Sequence, residues 1–175
     1  MRVIGGVARG RRLKAKLPPT VRPTTDYARE AIFSMLESRG GLADLVVADL
    51  YCGSGAMGIE ALSRGAAKVY FVDTDPACLA AAKTNFEPLQ LSGEAVFVRA
   101  NLPVWSPPRD IDLLLADPPY GPLDLASVLH GVVAERVIIE NDRHMDAPDG
   151  WNVTKTKRYG TTLVTMLEAS KGDGE

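Results

Sequence analysis

Ala28, Ile32, Met35 and Leu36 fall on one face at helical spacing, which predicts a helix over about residues 26–36. Thr24 or Thr25 can cap it, and Asp26 lies in its first turn, where a carboxylate favours the helix dipole. Gly40-Gly41 ends it. Short apolar runs then alternate with helical stretches. Residues 45–50 are nearly all apolar, broken by Asp49 and followed by a glycine-rich turn; residues 57–63 read as helix. Residues 68–72 read as a strand closed by Asp73, and the Ala-rich residues 77–86 as helix. Further strands are expected at 95–98, at 111–116 (closed by Asp117) and at 137–139. Residues 151–156 and 161–167 read as a terminal antiparallel pair turned at Tyr159-Gly160.

Strands that alternate with helices imply an α/β fold, a mainly parallel sheet with helices on both faces. A ligand site then belongs beyond the carboxyl ends of the strands. Asp49, Asp73 and Asp117 each sit at such an end, so three acids far apart in the chain are expected to converge on one crevice.

Charge changes the picture at the N-terminus. The net charge is only −2, yet Arg2, Arg9, Arg11, Arg12, Lys14, Lys16 and Arg22 all precede the first of 22 acids, Asp26. A basic arm on an acidic body is a footprint for a polyanion such as RNA. Val3-Ile4 and Leu13, with Gly5-Gly6 and Gly10 between them, suggest a hairpin, and Pro18, Pro19 and Pro23 then hold the chain extended. The expected division is an arm over 1–22, one domain over 23–170 and a tail over 171–175. A length of 175 residues suits one core, and 46% hydrophobic with 24% charged residues suits a soluble globular protein. No apolar run is long enough for a transmembrane helix, and no apolar segment follows the basic start, so neither membrane nor export is expected. Cys52 and Cys78 lack metal-site or disulfide-framework spacing and read as reduced thiols, which fits a cytoplasmic protein without a metal.

Gly53-Ser54-Gly55-Ala56-Met57-Gly58 follows a strand and opens a helix, in the G-x-G-x-x-G spacing that dinucleotide dehydrogenases share. Asp49 separates the two cofactor classes. A carboxylate beside a pyrophosphate would be repelled, whereas one beside a cationic ligand is favoured. S-adenosylmethionine carries a sulfonium and an ammonium and no phosphate. Asp73 can accept hydrogen bonds from ribose hydroxyls and fits either cofactor. Asp75, followed by Pro76, reads as the cap of the next helix.

Asp117-Pro118-Pro119-Tyr120 is the most specific signal. An exocyclic amine on a base is a poor nucleophile because its lone pair is delocalised into the ring. Asp117 and the Pro118 carbonyl can accept the two amine hydrogens and aim that lone pair. Pro118 and Pro119 stiffen the loop, and Tyr120 offers a face for stacking an extruded base. This chemistry requires no metal.

Taken in order, Arg22-Pro23-Thr24-Thr25-Asp26, Arg29-Glu30, Phe33, Asp49-Leu50-Tyr51-Cys52-Gly53-Ser54-Gly55 and Asp117-Pro118-Pro119-Tyr120 resemble the RsmD family, bacterial methyltransferases of guanine N2 in 16S ribosomal RNA. The resemblance runs over nearly the whole chain. It implies a Rossmann-like class I methyltransferase fold, a seven-stranded sheet with an antiparallel last strand, an RNA-contacting N-terminal hairpin, and ribosomal RNA or the small subunit as substrate. It also implies a cofactor set of Thr25, Asp49, Tyr51, Gly53, Ser54, Gly55, Asp73 and Thr74, with the Arg22–Asp26 segment at the methionine end; Arg22 serves RNA phosphate instead in the other reading of that residue. Many relatives carry an acid after the third strand for the adenine amine. Arg99-Ala100-Asn101-Leu102 stands there in this chain, so Asn101, with Leu102, takes that place. The segment between Tyr120 and Val137 is short and leaves room for trimmed elements.

Adenine N6 in DNA and a protein glutamine amide present the same conjugated NH2 and stay open at this point, as do a nicotinamide-dependent oxidoreductase and a non-catalytic ribosome-assembly factor. His130, His144, Trp105 and Trp151 are given no catalytic role. Glu140 closes the fifth strand at the crevice rim and is left unassigned. Cys52 has no base beside it and reads as a small residue in the turn.

Overall fold

The computed structural model describes residues 1–17, 25–102, 105–119 and 121–170. The expectations for Arg22, Tyr120 and the 171–175 tail lie outside the described residues. Twelve elements follow the N-terminal arm. They are α1 (Asp26–Glu37), β1 (Val46–Leu50), α2 (Ala56–Ser63), β2 (Lys68–Asp73), α3 (Pro76–Phe86), a 3-10 turn (Glu87–Leu89), β3 (Glu94–Arg99), β4 (Leu113–Ala116), α4 (Leu125–Val128), β5 (Arg136–Asn141), β6 (Trp151–Tyr159) and β7 (Thr162–Ala169).

Caps set the helix starts. Thr25 Oγ1 accepts from Ala28 N (3.2 Å), so Thr25 is the residue that caps α1. Asp75 Oδ1 accepts from Ala77 N (2.8 Å), with Pro76 in the first turn of α3, as the sequence predicts. The strand expected from residue 111 begins only at Leu113; Ile111 packs into the core ahead of it. Between Gly121 and β5 the described chain forms only the four-residue α4.

The seven strands form one sheet in the order β3-β2-β1-β4-β5-β7-β6. The first five are parallel; β7 runs antiparallel to β5 and carries β6 on its outer side. Alternation along the strands builds two cores. Val47, Phe71, Leu115 and Ile138 face one, with Ile32, Phe33 and Leu36 of α1 and Met57 and Ile59 of α2. Ala48, Val72, Leu114 and Ile139 face the other. Helical cover is uneven: α1, α2 and α3 shield the first face, whereas α4 and loop residues such as Leu102, Trp105 and Met145 cover the second.

The arm is docked against the body. Arg2 and Arg12 form an antiparallel bridge, and Val3, Ala8 and Leu13 are buried. Glu60 of α2, fully buried, accepts from Ile4 N and Gly5 N, each at 2.7 Å. Ser63 Oγ accepts from Ala8 N (2.9 Å) and donates to Gly5 O (2.6 Å). Three backbone N–H groups and one carbonyl of the arm are thus satisfied by buried side chains of α2, which helps fix its position. Among the described residues no helix is long and apolar enough to cross a membrane.

Candidate active site

Four carboxylates close four adjacent parallel strands on one face of the sheet. Asp73, Asp49, Asp117 and Glu140 share the side-chain parity of Phe71, Val47, Leu115 and Ile138, and so point toward the α1–α3 side. The register sets their heights. Asp49 pairs with Phe71 and Leu115, so Asp73 and Asp117 stand one side-chain repeat beyond it. Ala116 pairs with Ile139, which brings Asp117 level with Glu140. The convergence expected of three acids holds, and Glu140 makes a fourth.

Their burial separates their roles. Asp49 is 2% exposed, and its Oδ2 accepts from Gly58 N (2.8 Å) in the first turn of α2. Burial first, then the charges of Asp117 and Asp73, push its carboxyl well above the usual range, while the bond from Gly58 pulls the other way. Asp49 therefore ties the glycine turn to β1 before it does anything for a ligand. Asp73 Oδ2 accepts from Gly53 N (3.0 Å) and Oδ1 from Asp75 N (2.9 Å), so it orders the turns after β1 and β2. Each of its oxygens keeps a second lone pair for a ribose hydroxyl. Asp117 is half-buried, with its N–H on Leu50 O (3.4 Å); Pro118 behind it is buried and Pro119 exposed.

Backbone shape explains the glycines. Gly55 has φ +74°, and a Cβ there would lie 2.8 Å from Ala82 Cβ. A Cβ on Gly58 would lie 2.4 Å from Phe71 Cε1, so that position serves close helix–strand packing. Tyr51 adopts φ +58° without being glycine, a costly conformation at the point where the chain leaves β1 for the turn. Ser54 is buried, and its carbonyl accepts from Asn85 Nδ2 (3.0 Å), while Asn85 Oδ1 accepts from Ala15 N (2.9 Å). Asn85 thereby clamps the arm to the glycine turn. Burial pushes the Cys52 thiol up, which keeps it protonated and unsuited to attack.

A family model described as Conserved hypothetical protein 95 matches residues 1–168. The Bacillus subtilis (strain 168) protein YlbH is 33% identical over 187 residues, covering 96% of this chain and 98% of that protein. Ribosomal RNA small subunit methyltransferase D of Haemophilus influenzae is 30% identical over 183 residues, covering 96% and 93%. The solved structure of Escherichia coli yhhF superposes with a TM-score of 0.81 at 28% identity, over 97% of both chains. The chain belongs to the RsmD family. Its fold is the Rossmann-like class I methyltransferase fold.

In this RsmD family member Thr74, Asn101 and Leu102 stand at the same end of the sheet. Thr74 is exposed just after Asp73, and its carbonyl accepts from Arg99 Nε (3.3 Å). Ala100 N donates to Asp73 O (3.1 Å), which places Asn101 (exposed) and Leu102 (half-buried) beyond β3 next to the tip of β2. Arg2, Arg9, Arg11, Arg12, Lys14 and Lys16 are all exposed on the arm. Arg11 Nη2 is held by Pro88 O (2.9 Å), and Arg2 lies 3.8 Å from Asp26. Sequence reasoning missed Glu60, Ser63 and Asn85, whose polar groups hold the arm, and left Glu140 unassigned. Glu140 follows an apolar run, as Asp117 does, and that shared pattern was the available signal.

Proposed function

We propose that the protein transfers a methyl group from S-adenosylmethionine to the exocyclic N2 amine of a guanine in small-subunit ribosomal RNA, as a cytoplasmic monomer acting on the RNA or the assembling subunit. The observation that carries this reading is the placement of Asp117-Pro118 at the tip of β4, one strand from the Asp49–glycine turn. Names of relatives supply the substrate class: the Haemophilus influenzae protein is named as a small-subunit ribosomal RNA methyltransferase. The basic arm, fixed beside the glycine turn by Asn85, fits a polyanion better than a protein substrate.

The residues present fit the cofactor. The glycine turn is backed by acids and not by bases: Asp73 holds Gly53, and Asp49 holds Gly58. In that set Asp73 suits a ligand bearing a ribose, while Asp49, its carboxyl raised by burial, serves mainly to hold the turn. Asp73 would hold the ribose, the 53–55 backbone the methionine part, and Asn101 with Leu102 the adenine. When bound, S-adenosylmethionine supplies an electrophilic methyl group.

The chain's own contribution is positioning. Asp117 and the Pro118 carbonyl accept the two amine hydrogens, which turns the nitrogen lone pair out of conjugation and aims it. Pro118 and Pro119 keep these acceptors preorganised. Holding nucleophile and methyl in attack geometry can lower the barrier by roughly 7–11 kcal/mol, more than the few kcal/mol spent on extruding a base.

The test is labelled methyl transfer to small-subunit RNA from cells lacking this modification, followed by mass analysis of the nucleosides. N2-methylguanine is the expected product; N6-methyladenine or a methylated protein amide would replace this reading. Asp117→Ala should lower transfer by at least about 100-fold with cofactor binding retained, the scale of removing one preorganised polar partner from a reacting group. Full-rate transfer in that variant would remove Asp117 from the chemistry.

A further inference from the structure

Glu140 is 3% exposed, and its Oε1 is buried without a hydrogen-bond partner. Arg29 of α1 is wholly buried, and its Nε and Nη1 are likewise unpartnered. Arg29 Nη2 is committed elsewhere, to Arg2 O (2.6 Å) and Asp26 Oδ1 (2.8 Å). The two groups feel each other's charge, yet the ion pairs of the described residues do not join them. An unmade bond of this kind costs about 1–3 kcal/mol per buried neutral group and more per charged one, so a folded chain rarely keeps three such atoms together. Of these groups Glu140 lies on the strand next to Asp117, at the level of the proposed amine acceptor, and within range of its charge.

From this placement we infer that Glu140 is a specificity-determining residue that reads the base edge next to the reacting amine, accepting the ring N1–H of guanine. The inference rests on the proposed guanine-N2 reading. Strands lie roughly 4.8 Å apart, a spacing comparable with the width of a base edge, so Asp117 and Glu140 can engage neighbouring groups of one base. Guanine presents, in order, the 2-amine, N1–H and O6. A carboxyl group at Glu140 meets N1–H with an oxygen lone pair. Burial and the charge of Asp117 push the Glu140 carboxyl up to about 8, against the pull of Arg29, so in the empty site it holds a proton near neutral pH. The protonated group also donates to O6, giving guanine two bonds; the ionised group still accepts N1–H. Adenine, with its amine in the same place, offers a bare N1 and then C2–H. It gains one bond from the acid and repulsion from the carboxylate.

The experiment compares RNA carrying guanine at the target position with RNA carrying 2-aminopurine there, which keeps the 2-amine but has a bare N1 and no O6. The readout is kcat/KM for labelled methyl transfer by the wild type, Glu140→Gln and Glu140→Leu. The wild type should prefer guanine by about 10- to 100-fold, the range expected when a preorganised site forgoes one or two hydrogen bonds. Glu140→Gln presents the same acceptor and donor pair and should keep most of that preference. Glu140→Leu should lose rate mainly on guanine, compressing the preference to within about threefold, the coupling a double-mutant cycle isolates. A role in folding alone would lower both rates together. Equal use of the two RNAs by the wild type overturns the inference whether or not the leucine variant folds, and so does an undiminished preference in a folded leucine variant. If N2-methylguanine forms while the preference is absent, only the role of Glu140 fails; if no N2-methylguanine forms, the underlying reading fails and this one with it.

Discussion

Replacing Glu140 with Gln should make the protein more stable than the wild type at alkaline pH, by an amount that grows as pH rises. Burial and Asp117 on β4 raise the carboxyl from an ordinary 4.5 to about 8, and only Arg29 of α1 opposes them. Below about pH 4.5 the folded and unfolded chains both hold the proton, and the group costs nothing. As pH climbs toward 8 the unfolded chain releases the proton and the folded chain keeps it, so the native state loses up to about 1.4 kcal/mol per pH unit. Above about 8 the difference stays constant, with a ceiling near 5 kcal/mol. Buried sites relax around an ion, yet the effective penalty is still several kcal/mol, so about 2–4 kcal/mol is the expected gap. Glutamine is nearly isosteric and does not titrate. Asp49, whose carboxyl is also raised by burial, contributes equally to both proteins and cancels in the difference. Urea unfolding of both proteins at several values from about pH 5 to 9 measures the gap directly. It should be below about 1 kcal/mol at the acid end and widen to its full size by about pH 8.5. Two stability curves that run parallel across this range would show that Glu140 titrates normally in the folded protein, and the burial reasoning would be wrong.

The arm gives two further expectations. Glu60→Ala removes the acceptors for Ile4 N, Gly5 N and Arg64 Nε, so it should cost about 2–4 kcal/mol and release the arm. Amide exchange at Ile4 and Gly5 should speed up while S-adenosylmethionine affinity holds; unchanged protection there would refute Glu60 as the anchor. Arg9, Arg12 and Lys14 are exposed, whereas Arg11 is held by Pro88 O. Changing those three to Ala should weaken RNA binding and flatten its salt dependence by about 0.7–0.9 in slope for each phosphate no longer neutralised. A slope equal to the wild type's would take the arm out of the RNA interface.

What the sequence reveals and what it hides in this chain divide along a physical line. The ends of β1, β2 and β4 were legible because each apolar run carries an acid at or next to its end, and a parallel sheet gathers such ends at one edge whatever the loops do. The caps of α1 and α3 were legible because capping is local: Thr25 reaches three residues on, and Asp75 two. Glu60 was not, because its burial is decided by Gly5, 55 residues away, and Asn85 was not, because its partner Ala15 is 70 residues away. The Asp49 reading shows the same division within one side chain. Its position at a strand tip beside the glycine turn follows from the local pattern. Its bond to Gly58 N follows from how α2 turns back over β1, and that bond makes it a strut of the turn as much as a neighbour of any cation. Glu140 sits at the boundary. Its pattern matches that of Asp117, but what separates a rim acid from a buried one is the packing of α1 against the sheet, which buries Arg29 within range of its charge. A charged residue closing an apolar strand is thus legible as a site residue from the strand alone; whether it faces water, the backbone or a base depends on a distant helix and is settled only when the chain has folded.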